Sequence, residues 1–242
     1  MRLDIYLAEN GIFASRSKAQ TAISEGRVFV DGIKAEKPSL EITGSEEIEA
    51  VKSDRFVSRA GEKLFCALKE FGFDVSGLTA LDIGASTGGF TDCLLQNGAN
   101  FVYALDVGHS QLDISLKNDE RVCCIEGFNA RYAKKEDFDR EIDLIVMDVS
   151  FISQALIYEA CSDILASGKT MITLVKPQFE AGKSHIGKGG IVRDRDGRVI
   201  KEIMQRLDES AGIFGFKRCG FTESSILGGD GNREYLAIFK KI

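Results

Sequence analysis

The sequence predicts an α/β protein: a mainly parallel sheet flanked by helices, preceded by a small α+β module. Three observations carry this. From Gly77 onward, short apolar runs alternate with longer amphipathic ones, as crossover connections in a parallel sheet require. Those runs are apolar on both faces, which suits strands covered by helices on either side. Residues 1 to about 50 have a different rhythm, two short helix-like stretches and a β-turn-β unit, and are too small for much core of their own.

In chain order, LDIYLAEN and SRSKAQTAISEG read as helices, and RVFVDGIKAEKPSLEI turns at Asp31-Gly32. The charged stretch TGSEEIEAVKSDRFVS reads as a link, so the expected domains are 1–54 and 55–242. Beyond it LTALDIG, FVYALDV, RVCCIEG, IDLIVMD and KTMITLVK read as strands, with TDCLLQNG, QLDISLK and QALIYEACSDIL between them as helices. DGRVIKEIMQRLDESAGIFGF is a long helix that Asp194 or Asp196 can cap and Gly212 or Gly215 can end. FTESSIL and EYLAIFKKI follow, joined by GGDGNR, and strands joined so shortly run antiparallel.

The totals exclude several classes. At 242 residues, 44% apolar and 28% charged, the chain has room for one large and one small globular domain. No apolar run approaches the ~18 residues of a membrane span, and MRLDIYLAEN has acids where a signal peptide is apolar, which points to the cytoplasm. The six cysteines form no C-x-x-C pair and no histidine cluster accompanies them, so neither a metal site nor a disulfide framework is expected. They read as reduced core residues. A net charge of -6 argues against a globally basic nucleic-acid binder but leaves local patches open.

Two stretches carry candidate chemistry. LDIGASTGGF places Gly84, Gly88 and Gly89 between a strand and a helix, where a nucleotide-like ligand is held. The spacing is not the G-x-G-x-x-G of a dinucleotide fold, no G-K-[ST] follows, and Asp82 would repel a pyrophosphate. It suits an ammonium instead, and S-adenosylmethionine carries an amino group and a sulfonium. Asp106 ends the next strand, placed for both ribose hydroxyls of an adenosine, and Glu126 ends the third, near the adenine. Helix capping is the plainer use of such acids. The second stretch is MITLVKPQFE, an apolar strand that finishes on a lysine. Proline stops the ladder there, so Lys176 stands at the sheet end where open α/β folds bind ligands.

These motifs, with RFVSRAGEKL, VMDVSFIS, GKGGIVRD and GNREYL, resemble the TlyA (haemolysin A) family of ribosomal-RNA ribose 2'-O-methyltransferases, related to the FtsJ methyltransferases. The match spans nearly the whole chain, and SRSKAQTAISEGRVFVDG resembles the αL RNA-binding fold of a ribosomal protein. The resemblance implies a Rossmann-like S-adenosylmethionine-dependent methyltransferase sheet of seven strands, the last antiparallel. It implies a catalytic set of Lys63, Asp148, Lys176 and Glu234, and a cofactor set of Asp82, Gly84, Ser86, Gly88, Gly89, Phe90, Asp106, Glu126 and Asp148. The partner is ribosomal RNA within a subunit.

A ribose hydroxyl is a poor nucleophile until its proton is removed, so Lys176 is the expected base. Burial and a nearby Lys63 ammonium would lower its affinity for the proton, while Asp148 would orient it and Glu234 would hold Lys63. Arg2, Arg16, Lys18 and Arg27 of the N-terminal module would meet RNA phosphates, although acids lie among them as on an ordinary solvated face. FEAGKSHIGKGGIVRDR lacks apolar periodicity and reads as a mobile loop whose Lys183, Lys188 and Arg193 could close over RNA. The rivals are a non-catalytic RNA-binding assembly factor, a small-molecule methyltransferase and a haemolysin. The last would need an apolar or cationic amphipathic segment that is absent. Within the resemblance, a cytidine of the large-subunit RNA is the expected target. The compact ends MRLDIYLAEN and FKKI lean towards one subunit over both.

Overall fold

The computed structural model describes residues 1–13, 16–24, 26–50, 55–194, 196–228 and 231–242, without the side chains of Ser17, Lys18, Thr21, Lys183 and Lys188. The chain divides into two compact units, Met1–Asp54 and Arg55–Ile242.

In the first unit, α1 (Leu3–Glu9) and α2 (Arg16–Ser24) precede β1 (Val28–Val30), β2 (Ile33–Lys34) and β3 (Ile48–Ala50), which form a sheet in the order β2-β1-β3. Asp31 and Gly32 turn the hairpin with φ of 51° and 74°, the paired left-handed geometry of a two-residue loop. Residues 48–50 were expected in the linker; they pair instead with β1, since Ile48 and Ala50 flank an outward Glu49 in period-two alternation. The unit also has more core than its length suggests: Leu3, Leu7, Ile23, Val28 and Ile42 are buried together.

The second unit runs α3 (Arg59–Phe71), β4 (Thr79–Ile83), α4 (Gly89–Gln96), β5 (Phe101–Asp106), α5 (Ile114–Lys117), β6 (Val122–Glu126), β7 (Leu144–Met147), α6 (Tyr158–Ile164), β8 (Thr170–Val175), α7 (Pro177–Glu180), α8 (Arg198–Ile213), β9 (Phe216–Glu223) and β10 (Tyr235–Lys241). Its seven strands lie in the order β6-β5-β4-β7-β8-β10-β9. β4 to β8 pair in parallel and β10 is antiparallel to both neighbours. The chain winds outward from β4 to β6 and then returns to β7 on the other side of β4, so a crevice opens at the carboxyl ends of β4 and β7. Alternation within strands separates two cores: Leu81, Leu105, Ile145 and Met171 face one helical layer, and Ala80, Val102, Val146 and Ile172 the other.

Two expectations are corrected at the C-terminal end, and the expected capping of α8 holds. The last parallel-side strand starts at Phe216, earlier than FTESSIL, because α8 stops at Ile213 and Gly215, at φ 75°, reverses the chain at once. The β9–β10 connection covers residues 224–234, longer than a tight turn, with Gly229 and Asp230 outside the described residues. Asp194 and Asp196 both serve the start of α8: Asp194 accepts from the Val199 and Ile200 amides at 3.3 and 3.0 Å, Asp196 from Arg198 at 3.3 Å. Of the cysteines, Cys93 and Cys161 are buried, burial pushing the Cys161 thiol up to about 12. Cys219 is exposed, contrary to the core reading, because β9 is an edge strand.

Candidate active site

Lys176, Asp148 and Glu234 meet for a topological reason. β7 and β8 are parallel neighbours, so the residues that follow them, Asp148 and the Lys176 that Pro177 stops, emerge side by side. β10 runs the other way and pairs Tyr235 with Val175, which brings the residue before it, Glu234, to the same edge. Lys63, on α3, reaches in from the helical layer: its Nζ lies 2.5 Å from Glu234 Oε2, and both side chains are buried. Lys176 Nζ lies 2.6 Å from Asp148 Oδ1 and donates to Ser150 Oγ at 2.8 Å. The Asp148 contact is an ion pair by distance without hydrogen-bond alignment; the aligned bond goes to Ser150. The four residues thus sort into two lysine–carboxylate pairs. Removing one partner of the buried Lys63–Glu234 pair would strand the other charge, at a cost of roughly 3–5 kcal/mol.

Beside this edge lies a cavity of about 560 Å³ whose wall includes Gly84, Ser86, Asp106, Gln111, Asp148 and Ser150. Gly84 takes φ 83°, and a Cβ there would lie 2.4 Å from the Asp148 carbonyl oxygen, so the glycine loop and the end of β7 touch through bare backbone. Asp106 accepts from the Ser86 amide at 2.8 Å through one oxygen and from the Gly108 amide at 2.7 Å through the other. Each oxygen keeps a lone pair for a ligand.

The remaining expected cofactor residues stand behind the wall. Asp82 is fully buried within β4; Oδ2 accepts from Thr91 Oγ1 at 2.7 Å and Oδ1 has no partner. Burial raises its carboxyl to about 7. Gly88 and Gly89 are needed for packing: a Cβ on Gly88 would strike Leu112 and Leu116, and one on Gly89 would strike Ser58. Phe90 is a core residue. Glu126, expected near an adenine, is used by the protein itself. Lys117 Nζ and the amides of Ser110, Gln111 and Leu112 all donate to it and bring its carboxyl down to about 2. It anchors the 108–112 loop that carries Gln111.

Sequence reasoning missed Ser150, Gln111 and Phe151. Ser150 and Phe151 sit inside VMDVSF, so a polar residue two positions past a strand-end acid was the available signal. Phe151 is 90% exposed and adopts φ 64°, which for a bulky residue costs on the order of 1–2 kcal/mol. Its ring centroid is 5.0 Å from that of Phe179.

In the N-terminal unit, buried Asp4 accepts from Arg2, Arg16 and Gln20 at 2.6–3.0 Å, and the Arg2 bond above all holds its carboxyl well below the usual range. Arg2 and Arg16 stay 41% and 51% exposed, so each guanidinium is fixed on one side and open on the other. Arg27 lies 5.8 Å over the Phe13 ring. The side chains of Lys18, Lys183 and Lys188 fall outside the described residues. Arg193 is exposed. The loop around it is more built than its composition suggested. Ile186 bridges Val192, and buried Asn232 accepts from the Val192 amide at 2.9 Å and donates to the Gly190 carbonyl at 3.1 Å. Among the described residues no cluster of three or more metal-ligating side chains occurs, and no helix is long and apolar enough to cross a membrane.

Residues 56–241 match the model of the FtsJ-like methyltransferases, and residues 1–48 that of the S4 domain. Hemolysin A of Brachyspira hyodysenteriae is 49% identical over 99% of both chains. The 16S/23S rRNA (cytidine-2'-O)-methyltransferase TlyA of Mycobacterium tuberculosis is 40% identical over 97% of this chain and 87% of its own. A solved structure described as a candidate hemolysin from Streptococcus thermophilus superposes with a TM-score of 0.79 at 41% identity, covering 100% of this chain and 88% of that one.

Proposed function

The chain belongs to the FtsJ-like methyltransferase family, and from that premise we propose that it transfers a methyl group from S-adenosylmethionine to a ribose 2'-hydroxyl of ribosomal RNA. The observation that carries the reading is the pairing of Lys176 with Asp148 and of Lys63 with Glu234 at one sheet edge, beside the glycine-loop cavity. The Mycobacterium relative's name supplies the finer expectation of a cytidine. We take the large-subunit RNA as the principal acceptor and the small-subunit RNA as the second. The name Hemolysin A is that relative's own.

The cavity's volume falls in the range of small-molecule sites, roughly 300–1,000 Å³. Its wall joins apolar side chains such as Leu105 and Val107 to the carboxylate of Asp106, a match for an adenosine with a polar tail. Asp106 would hold the ribose hydroxyls, Gly84 and Ser86 would leave room at the backbone, and Gln111 would edge the base. Bound there, S-adenosylmethionine supplies an electrophilic methyl group on a sulfonium.

The protein's own residues supply the base and the alignment. Lys176 Nζ takes the hydroxyl proton as the oxygen begins to attack, so its neutral form is the active one. Asp148 and Ser150 set where that nitrogen sits. Lys63, kept in place by Glu234, adds a positive charge near the oxygen as it becomes an alkoxide. Arg2 and Arg16 would bring RNA phosphates to the N-terminal unit, positioning without reading sequence.

The test is transfer of labelled methyl from S-adenosylmethionine to ribosomal subunits lacking the modification, with the label mapped to ribose or base. Wild type should label a ribose, and Lys176→Ala should lower the rate by roughly 10²–10⁴, the worth of a positioned base. Cofactor binding without any label in RNA would overturn the reading.

A further inference from the structure

Four residues past Lys176, the turn that Pro177 starts does something the proposed chemistry has not used. α7 is one turn long, and its last residue, Glu180, aims its carboxylate back at the segment that follows β7. Ser153 Oγ donates to Glu180 Oε2 at 2.7 Å, and the Gln154 amide donates to Oε1 at 2.9 Å. On the same turn Phe179 packs its ring 5.0 Å from that of Phe151. The segment 148–154 is therefore gripped at Phe151, its one residue with φ in the left-handed region, and at Ser153 and Gln154 just beyond it. Such a backbone conformation persists only when its surroundings over-determine it. α7 is itself fixed, since Arg206 of α8 donates to the Glu180 carbonyl at 2.8 Å.

The gripped segment is the one that bears Asp148 and Ser150, and α7 is continuous with Lys176. A single turn thus carries the base at one end and, at the other, the clamp on the base's two partners. We infer that Glu180 is a positioning residue for methyl transfer: its carboxylate holds the 148–154 segment in the shape that presents Ser150 and Asp148 to Lys176 Nζ. This rests on the methyltransferase reading above. Glu180 acts through hydrogen bonds alone and carries no proton in the reaction. Its two acceptor oxygens are what the role requires, because one receives a hydroxyl and the other a backbone amide.

The experiment is single-turnover methyl transfer to unmodified ribosomal subunits, at saturating S-adenosylmethionine and subunit, for wild type, Glu180→Ala, Glu180→Gln and Ser153→Ala. Rates are normalised to the fraction of enzyme that binds S-adenosylmethionine. A displacement of about 1 Å at a reacting group costs on the order of 10²-fold, so Glu180→Ala should lose about that factor in rate while KM for the subunit changes by less than about threefold. Glu180→Gln keeps one acceptor for the Gln154 amide and should recover part of the rate. Ser153→Ala, a mild change at a half-buried site, should lose roughly tenfold and keeps the question answerable if Glu180→Ala does not fold. A purely structural glutamate would lower the melting temperature and the binding-competent fraction while leaving the normalised rate unchanged. Normalised rates within twofold of wild type for Glu180→Gln and Ser153→Ala overturn the inference and leave the function standing. A wild type that labels no RNA overturns the function, and the inference falls with it.

Discussion

Lysines 63 and 176 are chemically identical, yet their neighbours give them different work. Lys63 is held at 2.5 Å by a buried glutamate, whereas Lys176 shares its nitrogen between a carboxylate and a serine hydroxyl at the mouth of a cavity. Asp82 makes the same point for carboxylates. A strand-end acid after an apolar run suggested a ligand contact, but the side chain points into the protein, with Thr91 as its one partner. The consequence is a stability cost with a definite sign. Burial raises the folded-state carboxyl to about 7 while the unfolded chain keeps its ordinary value near 4. Between those limits the folded state binds the extra proton, so stability falls as pH rises, by at most about 1.4 kcal/mol per pH unit. Asp82→Asn removes that dependence. Urea unfolding at pH 5 and pH 8 should show wild type losing stability relative to the asparagine variant at the higher pH; an equal gap at both would show that Asp82 is ionised in the fold throughout.

At the scale of elements, the site is made by contacts between segments far apart in the chain. The loop after β4 and the end of β7 meet at Gly84, where an added methyl would collide with the Asp148 carbonyl and φ is 83°. Gly84→Ala should therefore move Asp148 as well as the cavity wall. We expect a loss of about 1–3 kcal/mol of stability together with roughly 10²-fold lower methyl transfer. Thermal melts beside single-turnover rates check this, and a variant with wild-type rate would mean that the two segments move independently. Glu126 shows an element used differently from its appearance. At the end of β6 it ties three amides of the 108–112 loop and Lys117 to the strand, so an acid that read as a ligand contact is the anchor of a loop. That role was not legible because the amides it collects follow a turn whose course depends on Ser110 taking φ 56°.

At the scale of the whole molecule, an acidic chain must still bind a polyanion. The net charge of -6 makes any RNA attraction local, so it depends on how few cations are presented. Asp4 is the organiser in the N-terminal unit, with Arg2, Arg16 and Gln20 gathered on one buried carboxylate. Arg16→Gln leaves Arg2 on Asp4 and so spares that unit's fold. It should weaken binding to ribosomal RNA, lower the slope of log affinity against log salt by about one, and leave S-adenosylmethionine affinity unchanged. An unaltered salt slope, measured by filter binding over a range of salt, would assign Arg16 a structural task alone.

What the sequence determined by itself was whatever depends on local order. Alternating apolar runs specified a parallel sheet, Asp31-Gly32 a hairpin and Pro177 the end of β8, while the lysines and acids of the proposed site came from the family resemblance of four motifs. What it could not determine was direction and partnership. That β3 joins the first sheet, that Phe216 opens β9, that Asp82 and Glu126 face protein, that Ser150 meets Lys176 and that Ser153 meets Glu180 all follow from which segments lie side by side. Side chains pair across space with energies set by burial and distance. Those quantities exist only once β10 has turned back beside β8 and brought Glu234 to the edge where the parallel strands end.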